Sequence, residues 1–202
     1  MMEKIVVATK NIHKVEEIRA MWKDMPCELI SLADLEQSID EVIEDGNTFV
    51  ANAEKKAKQI AKETGLPALA DDSGLCVQAL DGAPGVHSAR YAGETKDDGL
   101  NRQKLIEALK TVPGGQRLAY FACAMSFALP SGEIVSVEGR CEGHIAFEEK
   151  GTHGFGYDSV FLSPDYDKTL AEVTSEEKNA ISHRSRALEA MRPYIIKYLK
   201  KI

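Results

Sequence analysis

Long apolar runs are missing from this chain. Among its 202 residues the longest uncharged stretch, Leu118 to Gly132, is interrupted by Pro130 and Gly132, whereas a membrane-spanning helix needs roughly 18–20 consecutive apolar residues. The N-terminal apolar run Ile5–Ala8 is four residues long, too short for the core of a secretory leader. Cysteine is scarce. Cys27, Cys76, Cys123 and Cys141 form neither a Cys-x-x-Cys pair nor a metal-ligand spacing, so they read as free, inward-packed thiols of a cytoplasmic protein. An excess of basic residues is absent too: the formal net charge is −7, which argues against nucleic acid or an acidic membrane as partner. A small anionic ligand remains compatible, provided a local cation patch or a metal draws it in. No repeat, low-complexity tract or linker divides the sequence, so residues 1–202 are expected to form a single domain.

What is present reads as an α/β chain. Ile5-Val6-Val7-Ala8 is a short buried strand, and Val15, Ile18 and Trp22 follow at helical spacing. A stronger helix is expected from about Thr48 to Thr64, with Phe49, Ala53, Ala57 and Ile60 as its apolar stripe. Asn47 or Thr48 suits its N-cap and Gly65 its end. Pro67 to Ala70 reads as a second short strand that stops at Asp71-Asp72-Ser73-Gly74, residues typical of a turn. A Gly-rich stretch runs from Gly82 to Gly93, a helix lies near 97–110, and Leu118–Leu129 with Glu133–Val137 form a hairpin. After the glycines of 151–156 comes the strand Val160-Phe161-Leu162. The last helix starts near Ser182, with Leu188, Met191, Ile195 and Leu199 on one face, and Pro193 is expected to kink or restart it.

Four polar clusters fall at junctions between apolar elements, where binding groups tend to sit. Thr9-Lys10-Asn11-Ile12-His13-Lys14 precedes the first helix, whose N-terminal N–H groups suit phosphate; Thr9 and Asn11 can donate and Lys14 adds a charge. Glu44-Asp45-Gly46 and Asp71-Asp72-Ser73 offer carboxylates for Mg²⁺, which needs only one or two from the protein, or for a general base. Gly154-Phe155-Gly156-Tyr157-Asp158 sets an aromatic between glycines, an arrangement that can lie flat on a nucleobase. Lys178, with Ser182-His183-Arg184, brings donors to the start of the last helix. Each cluster alone is equally well explained as a capped helix, a turn, a hairpin with a buried Phe or a polar helix start.

Read together and in this order, the clusters resemble one family, the inosine triphosphate pyrophosphatases. The matching blocks run from Ala8–Lys14 through Ala70–Leu75, Gly82–Gly85, Ser88–Tyr91, Phe155–Asp158 and Glu176–Lys178 to Ala180–Arg184. The resemblance implies a two-lobed domain with a long, bent, mixed β-sheet flanked by helices and a cleft between the lobes. It further implies a homodimer and Mg²⁺-dependent hydrolysis of noncanonical purine nucleoside triphosphates (ITP, dITP, XTP) to monophosphate and pyrophosphate, which cleanses the nucleotide pool. By matching positions, Thr9, Lys10, Asn11, Ile12, His13 and Lys14 take the triphosphate and Ser73 contacts substrate. Glu44 and Asp72 serve the metal, Asp72 doubling as general base. Phe155, Gly156, Tyr157, Asp158, Lys178, His183 and Arg184 make the nucleoside pocket. Lys10, Gln78, His87 and Ser159 depart from the family's usual residues, and none removes a proposed catalytic group. The related Maf-type pyrophosphatases lack the Ser182-His183-Arg184 and Phe155–Asp158 blocks, and a silent binding module would have lost an acid that this chain keeps.

Overall fold

A computed structural model describes residues 2–35 and 39–201. In chain order its elements are β1 (Glu3–Val7), α1 (Ile12–Met21), β2 (Cys27–Ser31), α2 (Phe49–Thr64), β3 (Ala68–Val77), α3 (Asp98–Ala108), β4 (Leu118–Ala128), β5 (Ile134–Ile145), β6 (Phe161–Ser163), β7 (Lys168–Thr169), α4 (Ser175–Ile181) and α5 (His183–Leu199). The strands order β2-β1-β3-β4-β5-β6-β7. β1 pairs in parallel with β2 and β3, while β5–β6 and β6–β7 are antiparallel. The α/β class with a mixed sheet agrees with the sequence reading. The chain divides into two compact units. Unit 1 is Met1–Asp72, Cys123–Gly139 and Arg184–Ile202; unit 2 is Ser73–Ala122 and Arg140–His183.

In unit 1 the period-two alternation of the strands sorts side chains onto two faces. Ile5 and Val7 of β1, Leu69 of β3 and Cys123, Met125 and Phe127 of β4 pack against Val15 and Ile18 of α1 and Leu188, Met191 and Ile195 of α5. Val6, Ala8, Ala68, Ala70 and Ala128 face Ala57, Ile60 and Ala61 of α2. Small residues on both sides let α2 approach this face closely. Thr48 caps α2, accepting from Ala51 N, and Gly65 ends it in the left-handed conformation, as its sequence dictates. Unit 2 has its own core, in which Leu75, Leu105, Phe121, Cys141, Phe161 and Leu170 are buried together. All four cysteines are buried free thiols.

Two expectations need correction. β3 does not stop at Ala70 but continues through Asp71-Asp72-Ser73-Gly74 to Val77; strand pairing and burial override the local turn preference of those residues. Pro193 does not restart the last helix, since α5 runs from His183 to Leu199 through it, with Met191 and Ile195 on either side held in the core. Within the Gly-rich Gly82–Gly93 stretch, Gly85–Arg90 forms a 3₁₀ helix. Among the described residues no helix is long and apolar enough to cross a membrane.

Candidate active site

The continuation of β3 decides the chemistry of unit 1. Asp71 shares the alternation of Leu69 and turns to the α1/α5 face; Asp72 shares that of Ala68 and Ala70 and turns to α2. On the first face Asp71 is almost completely buried and surrounded by cations. Its Oδ2 lies 2.8 Å from Lys14 Nζ and 3.3 Å from Arg184 Nη2, and Arg184 is paired in turn with Glu17 of α1. Burial alone would raise the pKa of Asp71, but Lys14, Arg184 and Lys56 outweigh it and hold the carboxyl well below the usual aspartate range. Asp71 is therefore a fixed anion that positions Lys14.

Asp72 has the opposite fate. It too is buried, and its Oδ2 accepts from Asn52 Nδ2 at 2.9 Å. Burial pushes its pKa up, the nearby Glu44 adds to the rise, and Lys56, Asn52 and Lys14 only partly oppose it. Lys56, buried on α2, donates to the Asp71 carbonyl at 2.6 Å and is ion-paired with Glu44. Its desolvation is outweighed by Asp71, Glu44 and Asp72, which keep it charged. Asn52 also fixes the approach of the acidic segment, accepting from Gly46 N at 2.8 Å. A Cβ on Gly46 would meet Asn52 Oδ1 at 2.7 Å, so a larger residue there would displace Asn52. Asp45 is drawn outward to the exposed Lys55 at 2.7 Å. Sequence reasoning missed Asn52, Lys56 and Glu17. The signal existed for the first two: 49, 52, 53, 56, 57 and 60 are one helical stripe, and two of its members are polar.

The loop before α1 is preorganised. Asn11 caps the helix, its Oδ1 accepting from His13 N at 3.0 Å and Lys14 N at 3.4 Å, while Asn11 N donates to Thr9 Oγ1 at 3.2 Å. Lys10, Asn11, Ile12 and His13 are exposed, and Thr9 and Lys14 are half-buried. Ser73 follows Asp72 on β3, half-buried.

Unit 2 builds a second group. Asp158 is buried and its Oδ2 accepts from Phe155 N at 2.9 Å and from Lys178 Nζ at 2.7 Å. Gly154 has a φ of 74° and a Cβ there would lie 2.1 Å from the same oxygen, so only glycine lets the loop close over Asp158. Lys178 Nζ sits 4.7 Å from the centre of the Phe155 ring, which is half-buried. Asp98 and Arg102 of α3 clasp Gly156, accepting from its N–H at 2.8 Å and donating to its carbonyl at 2.9 Å. Tyr157 is an anchor, its hydroxyl donating to the Ser88 carbonyl at 2.8 Å and its pKa raised by burial. His183 is buried and stacks on Phe121 with ring centres 4.8 Å apart. Arg184, expected with the base-binding residues, is only 1% exposed and its charge is engaged by Asp71 and Glu17 in unit 1.

The family model described as the Ham1 family matches residues 5–194, a span that holds both residue groups. The chain belongs to the Ham1 family. A dITP/XTP pyrophosphatase of Exiguobacterium sibiricum is 50% identical over 196 residues, 97% of this chain and 98% of that protein. Among solved structures, a HAM1 protein from Coxiella burnetii superposes with a TM-score of 0.86 at 41% identity, covering 97% of this chain and 100% of that one. A nucleoside-triphosphatase and dITP/XTP pyrophosphatase from Mycobacterium abscessus gives a TM-score of 0.76 at 45% identity, over 94% and 99% of the two chains. The two residue groups thus belong to a Ham1 family chain, with the Asp71–Asp72 step in unit 1 and the Phe155–Asp158 loop in unit 2.

Proposed function

We propose that this protein hydrolyses noncanonical purine nucleoside triphosphates (ITP, dITP, XTP) to the monophosphate and pyrophosphate, through a single domain of residues 1–202 acting as a homodimer in the cytoplasm. The observation that carries the reading is the opposite state of two adjacent aspartates, Asp71 locked as an anion among cations and Asp72 held with a raised pKa. A water-activating carboxylate needs the second state, and a phosphate-binding lysine needs the first as its anchor. The names of the relatives support the substrate class.

The donor set beside Asp72 fits a hard divalent cation. Glu44 and Asp72 are oxygen donors close enough for one to raise the other's pKa. No group of three or more metal-ligating side chains exists among the described residues, and Mg²⁺ is satisfied by one or two carboxylates plus substrate phosphate. Bound Mg²⁺ would supply positive charge against the phosphate oxygens. The protein does the rest. Thr9, Asn11, Lys14 and the α1 N-terminal N–H groups hold the triphosphate, Lys10 and His13 standing at its edge. Lys56 exchanges its Glu44 contact for a share in charge balance, and Asn52 orients the Asp72 carboxylate. Asp72 takes the proton from the water that attacks phosphorus, and the α–β anhydride bond breaks with release of pyrophosphate. A positioned general base contributes ~10²–10⁴-fold.

Unit 2 supplies the purine contacts. Phe155 offers its ring face to the base, with Lys178 and Asp158 fixing the loop. His183 and backbone N–H groups donate to a 6-oxo group, and Arg184 tethers Asp71 in unit 1. A 6-amino purine leaves those donors unpaired at about 1–3 kcal/mol each. The test is hydrolysis of dITP and dGTP with Mg²⁺, resolving pyrophosphate from orthophosphate, for wild type and Asp72→Asn. Pyrophosphate from dITP, weak activity on dGTP and a dead variant are expected. Orthophosphate as product, or near-normal turnover by the variant, overturns the reading.

A further inference from the structure

Glycine on both sides of Phe155 leaves that ring without local direction. Gly154 and Gly156 have φ of 74° and 60°, conformations that glycine enters easily and leaves as easily. A ring in such a setting binds well only if the peptide groups around it are held, because ordering it on binding costs affinity. Here each of those groups has a partner. Phe155 N–H donates to Asp158 Oδ2 at 2.9 Å, and Phe155 C=O accepts from Asp158 N at 3.2 Å. These two bonds close the loop on itself. The groups of Gly156 reach outward instead, to α3: its N–H donates to Asp98 Oδ2 at 2.8 Å and its C=O accepts from Arg102 Nη1 at 2.9 Å.

We propose that Asp98 and Arg102 are positioning residues of the purine-binding loop, gripping the two peptide planes around Gly156 so that Phe155 presents its ring to the base. Four residues apart on α3, they share one helix face. One is an acceptor-only carboxylate and the other a donor-only guanidinium, the pair of partners that the N–H and C=O of a single residue require. Both bonds are charge-assisted. The grip is itself supported. Arg102 Nε donates to Glu149 Oε2 at 2.8 Å, and the same oxygen accepts from Ser159 Oγ at 3.0 Å, which orients the guanidinium. α3 is fixed by the buried Asn101, which donates to the Ala89 carbonyl at 3.0 Å and accepts from Ala92 N at 2.7 Å. The N-cap duty falls to Asp97, whose side chain accepts from Leu100 N at 2.8 Å, so Asp98 is spared to reach Gly156. The inference rests on the reading that the Phe155–Asp158 loop takes the base, and it names what holds that loop in place.

The test is steady-state pyrophosphate release from dITP with Mg²⁺ by the full chain and its variants. Asp98→Ala and Arg102→Ala should each raise KM ~10-fold, the worth of one charge-assisted bond, with kcat nearly unchanged. Together they should raise it ~10-fold again rather than ~100-fold, since either loss already frees the same residue. Glu149→Ala should raise KM in wild type and add nothing to Arg102→Ala. Asp98→Asn keeps an acceptor oxygen for Gly156 N–H and should recover most of the loss. If Asp98 served only the positive end of α3 by its charge, Asp98→Asn would be as poor as Asp98→Ala, and that result overturns the proposal. So does a fall in kcat at constant KM, or effects of the two alanines that multiply. If Arg102→Ala fails to fold by circular dichroism, the exposed Asp98 carries the test through its two variants. Phe155→Ala separates the two levels. A wild-type KM in that variant overturns the base-binding reading and the grip with it. A raised KM there, beside unaltered KM in Asp98→Ala and Arg102→Ala, overturns the grip alone.

Discussion

Both units bury a lysine–aspartate pair of nearly the same length, Lys14–Asp71 at 2.8 Å and Lys178–Asp158 at 2.7 Å, yet the two pairs do different work. Asp71 is ringed by cations from α1, α2 and α5, so its carboxylate distributes charge. Asp158 accepts from Lys178 and from the backbone N–H of Phe155, so its carboxylate shapes a loop. The difference lies in what else each carboxylate touches. Unit 1 organises charge around the start of α1 and Asp72, whereas unit 2 organises backbone around an aromatic ring.

The sharpest way to break the comparison is within β3. Asp72→Asn should lower turnover ~10²–10⁴-fold while leaving stability to urea at neutral pH unchanged or raised. The sign follows from linkage. Asp72 holds its proton more tightly folded than unfolded, so its ionisation removes stability as pH rises from the ordinary aspartate value through the raised one. The same shift predicts that kcat gains activity with pH on an acid limb above the ordinary aspartate range, and that Asp72→Asn loses this limb; pH–rate profiles of both proteins check it. Asp71→Asn should do the reverse, costing about 3–5 kcal/mol in urea unfolding because Lys14 and Arg184 lose a buried counter-charge. Asp71 is depressed, so its contribution is complete above the unfolded value of roughly 3.9 and drains away as pH falls toward the folded one. Wild type should therefore lose stability below about pH 4 more steeply than the variant.

Gly154→Ala tests the unit 2 pair. The positive φ and the blocked Cβ should cost about 1–3 kcal/mol, and, on the purine-binding role proposed for this loop, steady-state assays should show KM for dITP rising more than kcat falls. The smallest effect should come from Asp34→Asn. Its contact with Arg19 is 2.7 Å, as short as the buried pairs, but Asp34 stands in solvent. Although Ser31 and Arg19 lower its carboxyl to about 2, neutral-pH stability and turnover should match wild type in the same assays.

Much of this was legible in the residues. β-branched Ile5-Val6-Val7, the α2 stripe with its Thr48 and Gly65 ends, and the polar stretch before α1 lie where the sequence reading puts them, whereas Asp71-Asp72-Ser73 lies inside β3 and not at its end. The errors share a cause. Asp-Asp-Ser-Gly has the local preferences of a turn and Pro193 those of a helix break, but preferences worth about 1–3 kcal/mol per residue yield to burial on both sides. The division of labour between Asp71 and Asp72 was half-legible: alternation from Ala68 separates their faces once β3 is known to continue. Which face holds the cations was not, because Glu17 and Arg184 are 167 positions apart in sequence and meet only after α1 and α5 pack on one side of the sheet.

The unbroken path of β3 through its two aspartates has a consequence for how this protein tolerates sequence change. Side chains on a strand alternate strictly, so one residue inserted or deleted among Leu69–Asp72 would exchange the aspartates' faces. Asp72 would enter the nest of Lys14 and Arg184, and Asp71 would turn toward Asn52. Both carboxylates would survive in the sequence and neither would remain in its place. A length change in this strand should thus be harsher than many substitutions of its neighbours, and an insertion scan should find its deepest minimum there.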